Sequence, residues 1–118
     1  MQRLSLILLF ILYGATSAIG SNHLFQGANQ MVRLSEEMVF HGSEGHLHEI
    51  ADYGEKMIIE IDKIAPALKN KKELQKSIKT MRDKTESAIK LGKQGNPASL
   101  TSAKAALFHA KKLRQALR

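Results

Sequence analysis

The chain has no cysteine and no tryptophan among its 118 residues. Without cysteine there is no disulfide framework, no thiolate metal cage, no thiol nucleophile and no CxxCH attachment of a c-type haem. Aromatic residues make up only 5% of the chain, too few for the stacking platforms of single-strand nucleic-acid binders. A Gly-rich phosphate loop and a nucleophile-elbow serine are also missing, so catalysis has no footing and the chain reads as non-enzymatic. The longest apolar run, Leu4 to Tyr13 broken only by Ser5, is shorter than the roughly 20 residues that span a bilayer.

That run does have the form of an export signal. Met1-Gln2-Arg3 gives a positively charged start, Leu4 to Tyr13 an apolar stretch, and Thr16 and Ala18 the small residues at the positions a signal peptidase reads. The expected cut falls after Ala18 or after Gly20, making residues 1–20 a signal peptide and the mature protein periplasmic or secreted. Residues 21–118 are about one domain's length. With no disulfide to staple them, stability has to come from helix packing, a ligand or oligomerisation.

The apolar positions recur at helical spacing. Leu47, Ile50, Gly54, Met57, Ile61 and Ile64 follow one face of a helix over about 46–64. Leu74, Ile78, Met81, Thr85 and Ala88 mark another helix, and Leu100, Ala103, Leu107, Ala110, Leu113 and Leu117 a last one. The first helix is less regular, with Leu24, Ala28, Met31, Leu34, Met38 and Val39 as its buried side. Gly42 and Gly92 are expected to end the first and third helices in the left-handed conformation. Asn70 with Glu73 reads as a capping box, Asn96-Pro97 as N-cap and first helical residue, and Pro66 as the stop after the second helix.

Shifting the chain by 50 residues lays Gly42-Ser43-Glu44-Gly45 on Gly92-Lys93-Gln94-Gly95, Ile50 on Leu100 and Met57 on Leu107. The expected fold is therefore all-α, an up-down-up-down four-helix bundle built from two similar helical hairpins, about 24–64 and 70–117, with both GxxG turns at one end.

Charge divides the hairpins. Residues 21–62 hold Arg33 and Lys56 against eight acids, a net −6, while residues 63–118 hold fifteen Lys and Arg against Glu73, Asp83 and Glu86, a net +12. An exported chain of this kind is not expected to meet nucleic acid. The basic hairpin instead suits an acidic partner or an anionic envelope surface.

Chemistry concentrates at the first turn, where Glu37, His41, Glu44, His46, His48, Glu49 and Asp52 lie together. Glu37 and His41 are four apart and share a helix face, as do His48 and Asp52. Imidazoles with one or two carboxylates suit Cu(II), Ni(II) or Zn(II). Candidate ligands are thus His41, His46, His48, Glu37 and Asp52. His109 sits about 15 Å from the GxxG end by helical rise and cannot join them.

The segment Glu36-Glu37-Met38-Val39-Phe40-His41-Gly42-Ser43-Glu44-Gly45-His46, followed by an amphipathic helix bearing Ala and Gly, resembles the repeat of the small metal-binding (SmbP-like) proteins of the bacterial periplasm. The resemblance covers roughly residues 29–115, and its specific part is the HGxEGH turn at His41 to His46. It implies a four-helix bundle with a signal peptide that binds divalent copper, nickel or zinc, with His41 and His46 as the ligands the motif supports. That family repeats histidine along every helix. Here Leu91 stands opposite His41 and Asn96 opposite His46, which implies one site or none rather than a high-capacity store.

Overall fold

In the computed structural model the backbone is described from residue 2 and the side chains from His23 to Arg118. Four helices follow one another: α1 (Gln2–Ser43), α2 (Leu47–Ile64), α3 (Lys72–Lys93) and α4 (Ala98–Ala116). They form an all-α four-helix bundle of two antiparallel hairpins. Each helix packs against two neighbours, α1 against α2 and α4, and α3 against α2 and α4, so that α1 faces α3 and α2 faces α4 across the diagonals. The expected signal peptide, residues 1–20, lies outside the residues with described side chains. Among the described residues, no helix is long and apolar enough to cross a membrane.

The buried faces of α1, α2 and α3 largely follow the spacing that marked them, whereas in α4 Ala106 takes the buried place expected for Leu107. Ile50, Gly54, Met57, Ile61 and Ile64 of α2 are buried, as are Ile78, Met81, Thr85 and Ala88 of α3. Met31, Met38, Met57 and Met81 are fully shielded, four flexible thioethers filling the centre of the bundle. Each such large side chain contributes about 1.5–3 kcal/mol by leaving water. In α4 the centre is taken by Ala103, Ala106 and Ala110, small residues that let the helix lie close, while Leu100, Leu107 and Leu117 pack half-buried at its edge.

The two turns share one backbone. In the first, the His46 N–H donates to His41 O at 2.8 Å and the Gly45 N–H to Gly42 O at 3.1 Å; in the second, Asn96 donates to Leu91 O at 2.9 Å and Gly95 to Gly92 O at 3.0 Å. This pair of bonds is the Schellman helix ending. It requires positive φ one residue past the helix cap, and there stand Gly45 (φ 83°) and Gly95 (φ 65°). The expectation for Gly42 and Gly92 is corrected: neither has positive φ, and both remain helical and buried. Both face crowding, from movable side-chain ends at Gly42 and from fixed backbone at Gly92. A Cβ on Gly42 would come 2.7 Å from Ile50 Cδ1, and one on Gly92 2.7 Å from the backbone oxygen of Leu47.

The repeat also runs up the helices. Ser35 and Thr85, 50 residues apart, are both fully buried, and each donates its hydroxyl to the carbonyl four residues back, Met31 and Met81, at 2.7 Å. In the second helices the buried faces match at a shift of 49 instead, Gly54 with Ala103, Met57 with Ala106, Ile61 with Ala110 and Ile64 with Leu113.

At the opposite end Pro66 sits in the first turn of a 3₁₀ segment, Ala65–Leu68, directly after α2. The capping box at Asn70 is not formed. The Lys71 N–H is drawn back to Leu68 O at 3.0 Å, the helix opens one residue later than expected with Lys71 at the cap position, and no side chain caps it. α4 too opens one residue later than expected, with Pro97 at the cap position, but Asn96 just before it still satisfies a first-turn amide, its Oδ1 accepting from the Ala98 N–H at 2.9 Å. The acidic and basic hairpins meet along α2 and α3, where Asp62 pairs with Arg82 and Glu55 with Lys93. Such exposed pairs each contribute less than about 1 kcal/mol and serve orientation more than stability.

Candidate metal centre

The Schellman ending fixes where the first histidine pair stands. Because the His46 amide is bonded to the His41 carbonyl, the two side chains leave the turn together, with ring centroids 6.1 Å apart. Glu49, in the first turn of α2, reaches back to the same place. One ligand atom from each of His41, His46 and Glu49 lies within 4.8 Å of the other two. A tetrahedral ion with bonds of about 2.0–2.2 Å holds its ligand atoms about 3.3–3.6 Å apart. The group therefore closes on an ion by small side-chain rotations, and His46 is exposed at the turn and free to make them.

The imidazole of His41 has a carboxylate at each nitrogen. Glu37 Oε2 is 3.4 Å from Nε2, and Glu49 Oε2 lies directly against Nδ1. A neutral imidazole carries one N–H, so it can satisfy one carboxylate and must turn a lone pair on the other. Nδ1 is buried and makes no well-formed hydrogen bond, so water does not relieve that contact. A metal cation shared by Nδ1 and Glu49 would relieve it. An Nε2 proton turned toward Glu37, 3.4 Å away, would make the carboxylate–histidine pairing that commonly orients metal-ligating imidazoles. Tyr53, one turn beyond Glu49, stacks on His41 with centroids 5.2 Å apart and planes 13° from parallel, which holds the ring in that orientation.

Of the residues expected from the sequence, His41 and His46 are brought together and Glu37 stands behind His41. His48 and Asp52 are exposed on α2 and lie outside the group. Glu49 was not among the expected ligands. Pairing at i, i+4 favoured the exposed face of α2, whereas the turn presents the neighbouring face, with Glu49 beside buried Ile50, to the end of α1. Its position three residues after His46 and four before Tyr53 was the available signal. In the second hairpin the same backbone carries Leu91 and Asn96, so the scaffold is duplicated and the ligand set is not.

A group of this composition, two imidazoles and a carboxylate with a carboxylate behind one ring, can hold a borderline divalent metal ion. No family model, no curated protein and no solved structure matches the chain.

Proposed function

We propose that the protein is a small metal-binding protein that works outside the cytoplasm and holds one divalent transition-metal ion, copper, nickel or zinc, at the α1–α2 turn. His41 Nδ1, His46 and Glu49 are the ligands, and Glu37 fixes the His41 ring. The observation that carries this reading is the convergence of those three ligand atoms within 4.8 Å, drawn from the end of one helix, the turn and the start of the next. The resemblance of His41 to His46 to the turn of the SmbP-like proteins supports it, as does the signal-like start of the chain. The lack of thiolates favours metals that accept nitrogen and oxygen donors. Three protein ligands leave a position for water, which suits reversible holding rather than a closed structural site.

Isothermal titration with Cu(II), Ni(II) and Zn(II) tests the proposal. One equivalent should bind the wild-type protein, His41→Ala and Glu49→Gln should each weaken it by about tenfold or more, and His48→Ala should change it little. Binding that survives His41→Ala/His46→Ala unchanged would remove the site from the turn.

A further inference from the structure

A different face of the molecule has the makings of a second site. Between α3 and α4 runs an open groove of about 510 Å³ whose walls include Lys76 and Lys112. Neither lysine has an ion-pair partner among the described residues. Leu74 and Ala116 add apolar surface to the lining, and Ser77 and Thr80 add hydroxyls. His109 completes it, with an Nδ1 that is buried and has no hydrogen-bond partner. Glu73 is the one acid in the lining.

The charges around His109 are unbalanced. Burial holds its imidazole below the usual histidine range, and Lys112 on its own helix and Lys84 on α3 push it further down. The groove thus gathers cations and hydroxyl donors around a neutral ring, with a single carboxylate to offset them. Its volume falls in the range of pockets that take a small organic molecule rather than a bare ion.

We propose that the α3–α4 groove binds an organic phosphate, with the phosphoryl oxygens taken by Lys76, Lys112 and the Ser77 and Thr80 hydroxyls and the carbon skeleton laid over Leu74 and Ala116. Lysine serves such a group as a point charge with rotatable donors, and hydroxyls add direction. The groove is separate from the metal turn, so the two assignments stand or fall independently.

The test is an NMR titration of the protein, at low ionic strength, with inorganic phosphate and with glycerol 3-phosphate. Amide shifts should concentrate in residues 73–80 and 109–116, and glycerol 3-phosphate should bind several-fold more tightly than phosphate. The His109 ring should titrate at higher pH in the complex, because the bound anion offsets Lys84 and Lys112. Lys76→Gln/Lys112→Gln should weaken binding roughly three- to tenfold, as expected for two exposed charge contacts, and Glu73→Gln should tighten it. Equal loss in Lys79→Gln/Lys90→Gln would overturn the proposal, because those lysines lie outside the groove. Equal affinity for the two ligands reduces the groove to a bare anion site and overturns the organic part. Shifts scattered over all lysines, or none up to tens of millimolar ligand, overturn it entirely.

Discussion

Replacing Gly92 by alanine tests whether the GxxG turns are tied down by crowding at their first glycine. A Cβ at Gly92 meets two backbone atoms of α2, Leu47 O at 2.7 Å and Ala51 N at 3.2 Å, and neither can rotate away. Overpacking of that kind costs about 1–3 kcal/mol. Alanine returns at most about 1 kcal/mol through its helix propensity. With immobile backbone as the obstacle the cost falls in the upper part of that range, about 2–3 kcal/mol, so the net loss is about 1–2 kcal/mol, which for a domain of this size lowers the melting midpoint by about 4–16 °C. Gly42→Ala is the matched comparison, because its Cβ meets side chain alone, most closely the terminal methyls of Ile50 and Leu100 at 2.7 and 2.9 Å. Those side chains can rotate, so cost and gain nearly cancel and the midpoint should move by less than about 4 °C. Circular dichroism melts of both variants decide the matter. A Gly92→Ala protein as stable as wild type, or a Gly42→Ala protein that loses as much, refutes the reasoning.

Three further outcomes follow from the same geometry. A metal ion bridging His41, His46 and Glu49 would bind the closed hairpin and not the open chain, so Zn(II) at a hundred times its dissociation constant should add about 2.7 kcal/mol and raise the midpoint by about 10 °C or more at pH 7.5. Asn96→Ala removes the bond to the Ala98 amide and should cost about 1 kcal/mol in urea unfolding, whereas Asn70→Ala, which removes no cap, should cost nearly nothing. For His109 the fold favours the neutral ring, so the unfolded chain binds more protons between the folded midpoint and the ordinary value near 6.5; this contribution to stability is complete above about pH 6.5 and is lost as pH falls through that window, and His109→Gln should flatten that part of a stability–pH curve.

Much of the bundle was legible because helical faces are written as periodic apolar residues. Ile50, Met57, Ile61 and Ile64 need only their own spacing to declare a side, and Pro66 needs only its missing N–H to declare an end. The misreadings arose where two segments meet. A GxxG turn contains two glycines in two different settings, and spacing alone does not say that the first is crowded and the second is needed for its φ. The capping box at Asn70 was displaced by the preceding 3₁₀ turn, whose hydrogen bond to Lys71 shifts the helix start. The site was half legible for a similar reason. His41 and His46 are set by the turn, but Glu49 joins them only because α2 leaves that turn with its Glu49 edge toward α1. Its neighbour His48, equally good as a ligand by chemistry, is left in solvent.

The central claim is that His41 ligates metal through Nδ1 while its Nε2 proton stays with Glu37, and imidazole ¹⁵N spectroscopy reads both nitrogens at once. On adding one equivalent of Zn(II) at pH 7.5, the His41 Nδ1 resonance should move to a metal-bound position, Nε2 should remain protonated, and His46 should shift in step. A titration in which His41 keeps both resonances while His48 or His23 takes the ion would contradict the account.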